Sequence, residues 1–432
     1  MNKRNALVAQ SGGPSPVINA SLAGVMDACA QAKEIGTLYG AWHGIEGVLT
    51  EQLIDLSAQD KQEVELLKIT PCAGQIGTCR YKLKEHQDED FEHIIKVFAA
   101  HDIGYFFYIG GNDSMDTAAK VSALAKKMNY DLIVAGVPKT IDNDVGDSEF
   151  TIIDHTPGYA SCARYWAHLI QNVNEENRAI SVSEPVCVLQ AMGRKSGWIT
   201  AAARIADPNR EMPLQLYMAE TNHGLEFLHE KVNEQLKQDG RCIVVVNEGF
   251  DVGGVGERHD GFGHIEYGAS ESTVAQEVIN YLNRKGLCVR GQATGQLPGV
   301  IQRGVSIQAS VLDIEEAYAV GKKAVQIALE EGTGYMATIL RKKSEQYEAY
   351  YDKVELEKVA NSQRFIPKSW IMPNEVDVTD DFLRYAAPLI GGRWPEIRLE
   401  NGLQRFARLD ISFVPRKLPE YVPQRIRPGF HD

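Results

Sequence analysis

Short apolar runs alternate with longer stretches of mixed polarity over most of this chain. Residues 5–9 (NALVA), 105–109 (YFFYI), 132–137 (LIVAGV), 182–190 and 242–247 (CIVVVN) are too short for buried helices and rich in branched or aromatic residues, so they read as strands. Between them, residues 17–30, 91–100, 115–128, 150–173, 198–206, 225–238, 276–285 and 307–330 repeat apolar positions at helical spacing. Pro185 favours an irregular or edge position for the strand at 182–190. Residues 41–56 form a less regular candidate unit. Strand followed by helix, repeated, predicts an α/β fold with doubly wound, mostly parallel sheets in two lobes. Composition changes near Arg341; residues 354–360 and 380–388 read as short helices, and 413–432 are rich in proline and arginine. The expected division is an α/β region over 1–340, built of two lobes, and a C-terminal extension over 341–432 packed on it.

Four of the predicted strands run straight into polar loops, and a doubly wound sheet gathers such loops at its carboxyl edge. Residues 10–16 (QSGGPSP) form a glycine turn before a helix, which is an anion site or a plain tight turn. Residues 110–114 (GGNDS) repeat that arrangement and add oxygen ligands suited to Mg2+, or an Asx-type cap on the helix at Met115. Residues 138–144 (PKTIDND) crowd Lys139, Thr140, Asp142 and Asp144 into one loop. If that segment stays extended, Asp142 and Asp144 project to the same side. One carboxylate can then take a proton while another group meets a metal, with the lysine beside a phosphate; helix capping is the plainer alternative. Residues 192–195 (MGRK) put two cations ahead of a helix, or make a solvated basic turn. Residues 70–83 add a glycine-rich stretch in which Arg80, Lys82 and Lys84 lie close together.

Composition narrows the class. A net charge of −13 over 432 residues argues against a nucleic-acid surface, although a few local cations suffice for a phosphorylated substrate. Seven scattered cysteines show no zinc spacing and read as small core residues, with Cys79 in a polar loop. There is neither a signal-peptide core nor an apolar run of membrane length, so no membrane partner and a cytoplasmic setting are expected.

Taken in order, the motifs SGG at 11–13, GTCR at 77–80, GGNDS at 110–114, PKTIDND at 138–144, MGR at 192–194, NEG at 247–249 and QRG at 302–304 resemble the 6-phosphofructokinases, within them the pyrophosphate-dependent branch. The resemblance spans roughly residues 5–330. It implies reversible, Mg2+-dependent transfer of a phosphoryl group from pyrophosphate to the 1-hydroxyl of fructose 6-phosphate, in a homo-oligomer (dimer or tetramer). It implies that Gly12 approaches the donor through its backbone. Asp142 is the implied base for the sugar hydroxyl, Thr140 and Asp144 position substrate and metal, and Arg80 neutralises the moving phosphoryl group with Arg194 in support. Thr140, Asp142, Met192, Gly193, Arg194 and Glu248 would hold the sugar phosphate. Arg303 and Arg290 would grip its 6-phosphate, and in this family such arginines can come from a neighbouring subunit. Asn112 stands where the family commonly carries a metal-binding aspartate; the implied metal set is Asn112, Asp113 and Asp144, with Asp142 an alternative source of the carboxylate. Val300 replaces a histidine or tyrosine that often helps bind the sugar phosphate.

The donor follows from two positions. Where the ATP-using branch typically has glycine, this chain has Asp113 and Lys139. A carboxylate at 113 would repel and obstruct a nucleotide's α-phosphate, while an ammonium at 139 suits compact, highly charged pyrophosphate. The alternatives are an ATP-dependent phosphofructokinase, a kinase of another sugar such as sedoheptulose 7-phosphate, and a non-catalytic sugar-phosphate-binding subunit.

Overall fold

Alternate residues of the apolar strands go to opposite faces of a sheet. Leu7 and Ala9 enter one core cluster and Ala6 and Val8 another; Phe106 and Tyr108 part from Phe107 and Ile109 in the same way. Helices must therefore cover both faces, which is the doubly wound arrangement. In the computed structural model, residues 3–81, 87–221, 223–260, 263–360 and 362–427 are described; Lys82 and Lys84 lie outside them.

The strands of the two larger sheets are β1 (Arg4–Gln10), β2 (Ile35–Ala41), β3 (Leu53–Asp55), β4 (Ile103–Gly110), β5 (Ile133–Pro138), β6 (Val186–Ala191), β7 (Leu214–Tyr217), β8 (Cys242–Asn247), β9 (Ala293–Gln296), β10 (Tyr335–Arg341) and β11 (Ala349–Glu355); Leu399–Glu400 and Leu403–Gln404 pair as a small hairpin. One sheet has seven strands in the order β11-β10-β5-β4-β1-β2-β3. Its inner pairs are parallel, and both edge pairs, β10 with β11 and β2 with β3, are antiparallel. The second sheet, β7-β8-β6-β9, is wholly parallel. Its strands likewise divide between two clusters, Ile243 and Val245 facing one and Val244 and Val246 the other.

Several expectations are corrected. The helix expected over 150–173 is Tyr159–Ile180, because Pro157 and the positive φ of Gly158 (109°) interrupt helical backbone just before it. β6 is an interior strand, not an edge. Pro185 precedes it, where its missing N–H costs no ladder bond, and its carbonyl accepts the Cys242 N–H at 2.8 Å. The helix expected over 354–360 shrinks to Leu356–Val359, because β11 occupies the residues before it. β11 follows the composition change near Arg341, yet pairs along its whole length with β10 in the first sheet.

The last described stretch has little regular structure and runs back over the first lobe. Ala407 N–H donates to Thr70 Oγ1 (2.8 Å), Val414 N–H to the Leu53 carbonyl (2.8 Å), and Gln424 N–H to Asp90 Oδ1 (3.0 Å). Further on, the Arg425 guanidinium lies over the Tyr81 ring, beside Arg80. None of the seven cysteines is in a disulfide, and Cys29, Cys162 and Cys242 are buried.

The helix Ile18–Gln31 leaves the first glycine loop and crosses the helix Val311–Glu330 with backbones almost touching. A Cβ on Gly24 would overlap the Tyr318 carbonyl oxygen, and one on Gly321 the Ser21 carbonyl oxygen. In isolation, alanine at position 24 would favour the helix by about 1 kcal/mol. Overlap with backbone reverses the sign, since forced separation in a packed core costs about 1–3 kcal/mol. Gly24→Ala is therefore expected to lower the denaturant midpoint. A midpoint at or above wild type would show that these helices do not need their close approach.

Candidate active site

The glycine, GGNDS and PKTIDND loops leave the carboxyl ends of β1, β4 and β5, and the MGR loop leaves that of β6. They meet across a cleft between the two sheets. The cavity there is lined by Gly12, Arg80, Asn112, Asp113, Lys139, Thr140, Asp142, Asp144, Met192, Arg194, Glu248 and Arg303, among others. Gly193 contributes backbone beside it. Arg290 is exposed and does not line it.

Each loop is held by contacts within the chain. Gly12 lines the cavity, and its N–H donates to the Cys79 carbonyl (3.0 Å), tying the glycine turn to the segment that carries Arg80. It is Gly13 that abuts the cations: a Cβ there would collide with Arg303 Nη1, and Lys139 Nζ donates to its carbonyl at 2.7 Å. The GGNDS loop opens the helix Asn112–Lys127. Its cap is Gly111, with no side-chain cap bond, so the Asx-cap reading fails. Asn112 Nδ2 donates to the Ser362 carbonyl (2.7 Å), its Oδ1 accepts the Asp113 N–H (2.9 Å), and Asp113 sits in the first helical turn, where the helix dipole favours a carboxylate.

PKTIDND does not stay extended. Asn143 adopts φ 54°, a left-handed kink between the two aspartates, yet both still line the cavity. The kink is held by Arg364, which the motifs do not include. Its Nε donates to the Asn143 carbonyl (3.0 Å) and its Nη2 to Asn143 Oδ1 (2.6 Å). Its backbone N–H reaches the Asp144 carbonyl (2.7 Å), and Asn143 Nδ2 donates to Tyr385 Oη (2.9 Å). A fully buried arginine with its donors on loop carbonyls is a framework element, and a lone arginine in a polar stretch gave no sequence signal for it.

In the second lobe, Glu248 Oε1 accepts the N–H groups of Gly193 (3.1 Å) and Arg194 (2.9 Å), while Gln302 Oε1 accepts those of Met192 (3.0 Å) and the Trp166 indole (3.0 Å). NEG and QRG thus hold MGR. From the loop after β8, Asp260 pairs with Arg80 Nη1 and lies 3.9 Å from Arg194, and His264 Nε2 lies 2.7 Å from Asp113 Oδ2. Neither was identified from sequence, because that stretch reads only as loop.

Electrostatics define what the cavity wants. Burial, then the positive charge of Arg303, push the Lys139 ammonium down to about 7. Burial and then Arg80 also depress Arg303. On the other side, burial and then the charge of Asp142 push Asp144 up to about 7, and the same two causes bring Glu248 to about 7. Burial works against the charge of Arg194, but Asp142, Asp144, Asp260 and Glu248 outweigh it and hold its guanidinium above the usual value. Like charges crowd each side, so a polyanion against the lysine and arginines and a cation against the aspartates would each relieve strain. The water-accessible volume is only about 70 Å³. An adjoining cavity of about 270 Å³ shares Arg80, Met192, Arg194, Glu248 and Arg303 with it.

The phosphofructokinase family profile matches residues 5–328. A pyrophosphate–fructose 6-phosphate 1-phosphotransferase of Halomonas elongata is 38% identical, covering 98% of this chain and 100% of that relative. A solved pyrophosphate-dependent phosphofructokinase of Nitrosospira multiformis superposes with a TM-score of 0.87 at 36% identity, covering 97% of this chain and 100% of that one. A second, from Marinobacter aquaeolei, gives 0.86 at 35% identity, with 97% and 99% covered. No helix among the described residues is long and apolar enough to cross a membrane. With its motif loops meeting in one cleft and likeness running the length of the chain, the protein belongs to the phosphofructokinase family.

Proposed function

We propose that this chain is a pyrophosphate–fructose 6-phosphate 1-phosphotransferase. The observation that carries the reading is the donor cavity, small and bounded by Asp113 on one side and the buried, cation-crowded Lys139 on the other. Diphosphate brings several negative charges in little volume. It would restore the full charge of Lys139 and screen the repulsion among Arg80, Arg303 and Arg194. A nucleotide would have to set its α-phosphate against the Asp113 carboxylate.

The acceptor belongs in the adjoining cavity, reached past Met192, Arg194 and Glu248. Its 1-hydroxyl would meet the donor at Asp142, half-buried at the junction of both lobes. Asp142 takes the proton as the sugar oxygen attacks, with Thr140 Oγ1 accepting the Asp142 N–H (3.1 Å) and fixing the turn. Phosphoryl transfer asks little covalent work of the protein; its rate comes from in-line placement and from cations around the equatorial oxygens. Arg80 and Arg194 border both cavities and meet that need.

The residues fit Mg2+ in its usual manner. Asp144 carries a carboxylate whose charge is opposed by burial and by Asp142, a penalty that a divalent cation removes. Among the described residues no group of three or more His, Cys, Asp or Glu could hold a metal ion unaided. Mg2+ ordinarily accepts one or two carboxylates and completes its shell with phosphate oxygens and water, so a complete protein cage is not required. Asn112 Oδ1 is already engaged and Asp113 is paired with His264, which leaves Asp144 as the foremost ligand of the implied set. When bound, the ion would neutralise phosphate charge that the protein cations leave uncovered.

The defining experiment is a coupled assay with fructose 6-phosphate and either donor, run also in the reverse direction with inorganic phosphate. Turnover with pyrophosphate in both directions is expected; turnover with ATP alone would overturn the donor assignment. Asp142→Ala is expected to lower kcat by at least ~10²-fold, the usual scale for losing a positioned base. A near-normal kcat would remove Asp142 from the mechanism. Lys139 sets a pH dependence. Its ammonium is charged below about 7 and loses its proton above, so kcat/KM for pyrophosphate should fall as pH rises past that value. In Lys139→Arg the charge persists, and the fall attributable to this group should vanish. An unchanged alkaline limb in that variant would show that another group titrates.

A further inference from the structure

The donor cavity does not end in solid protein behind Asp113. A groove of about 440 Å³ adjoins it past Asn112, Asp113, Asp144 and Arg194, and is lined further by Lys195, His259, His264 and Gln363 beside the less polar Ile265 and Tyr267. With a lysine, two histidines and an amide on its walls, it has the chemistry to receive another phosphoryl group. Asp113 is one of four residues, with Asn112, Asp144 and Arg194, that line both cavities, and His264 grips its carboxylate. The carboxylate can only accept, so the imidazole Nε2 carries the hydrogen in the 2.7 Å contact to Oδ2.

His264 is itself anchored. Its backbone N–H donates to Asp260 Oδ1 (3.1 Å), and its carbonyl accepts the Asp260 N–H (2.8 Å). The Asp260 carboxylate in turn meets Arg80, so the donor-side carboxylate and a donor-side cation are held by two residues that hydrogen-bond each other. The 2.7 Å contact favours one of the staggered χ1 orientations open to an aspartate.

We propose that His264 is a donor-specificity residue: by holding the Asp113 carboxylate between the two cavities, it limits the donor to two phosphoryl groups. It acts through Asp113 rather than on the reacting atoms. Without it, the carboxylate can turn aside and the groove can take the third group of tripolyphosphate. Transfer would then proceed as with the shorter donor. The terminal P–O bond breaks, pyrophosphate departs with the bonding electron pair, the sugar 1-oxygen bonds to the phosphorus, and its proton passes to Asp142. Because the inference rests on pyrophosphate being the natural donor, wild-type turnover with pyrophosphate is measured first; its absence would reject the proposed function itself.

The test compares the wild-type enzyme with His264→Ala and His264→Gln, using pyrophosphate and sodium tripolyphosphate at saturating fructose 6-phosphate. In His264→Ala, kcat/KM for tripolyphosphate relative to pyrophosphate should rise at least ~10-fold, the scale on which removing one steric barrier changes selectivity. The KM for fructose 6-phosphate should stay near wild type. His264→Gln keeps an N–H donor at similar reach and should restore the wild-type ratio. If both donors weaken in equal proportion in His264→Ala, the histidine merely tethers its loop and the proposal fails. A ratio unchanged in every variant fails it equally, as does a glutamine variant indistinguishable from alanine.

Discussion

A buried ammonium next to guanidinium groups is the constraint from which the site's other features follow. Lys139 is almost wholly out of solvent, and Arg303, Arg80 and Arg194 all act on it. Two like charges ~4 Å apart repel by about 4 kcal/mol at an effective dielectric of 20, before any desolvation is counted. Such an arrangement survives in a folded protein only if something keeps the cations in place. Here the Gly13 carbonyl takes the lysine, Asp260 takes Arg80, and Glu248 fixes the backbone that carries Arg194. Folding thus stores a site of concentrated positive charge, whose complement is a compact polyanion.

Holding that charge demands rigid loops, and their supports come from distant parts of the chain. The kink at Asn143 would be costly in isolation, since few residues other than glycine accept positive φ. Arg364, more than two hundred positions later, fills its carbonyls, and Tyr385 takes its amide. The MGR loop leans in the same way on Glu248 and Gln302. The polypeptide beyond β10 therefore acts on the chemistry as scaffold: it supplies the outer strand of the first sheet, the clamp on the aspartate loop, and the Arg425 contact on Tyr81 beside Arg80.

The parts of this design that sequence discloses are those with strong local signals. β8 matches its apolar run residue for residue, because a strand buried on both faces must be apolar throughout. The motif loops were legible because several charges within a few positions after a strand have few structural uses. β7 and β9 are short and polar in part, β9 reading ATGQ, and β11 alternates like an exposed edge; none rises above loop in one sequence. Asp260, His264 and Arg364 escape for a different reason. Each belongs to the site through a tertiary contact, and no pattern around it encodes that partner. Gly12 shows the complementary limit: the glycine turn is legible in the sequence, but that its N–H donates to the Cys79 carbonyl depends on a tertiary neighbour.

The sharing of Arg80, Arg194 and Arg303 by both cavities bears on direction. Charge stabilisation reserved for one side would bind either the diphosphate or the sugar bisphosphate so well that release would limit turnover. Under the proposed reading, arginines on the boundary would instead meet the phosphoryl group in the transition state, where its charge is spread over its equatorial oxygens. Stabilisation concentrated there lowers one barrier, and the same barrier serves transfer from diphosphate to sugar and from sugar bisphosphate to inorganic phosphate. The site, like any catalyst, leaves the equilibrium unchanged and imposes no net direction. That choice passes to the relative concentrations of the four reactants, which suits a donor whose P–O–P bond gives a reaction lying near balance.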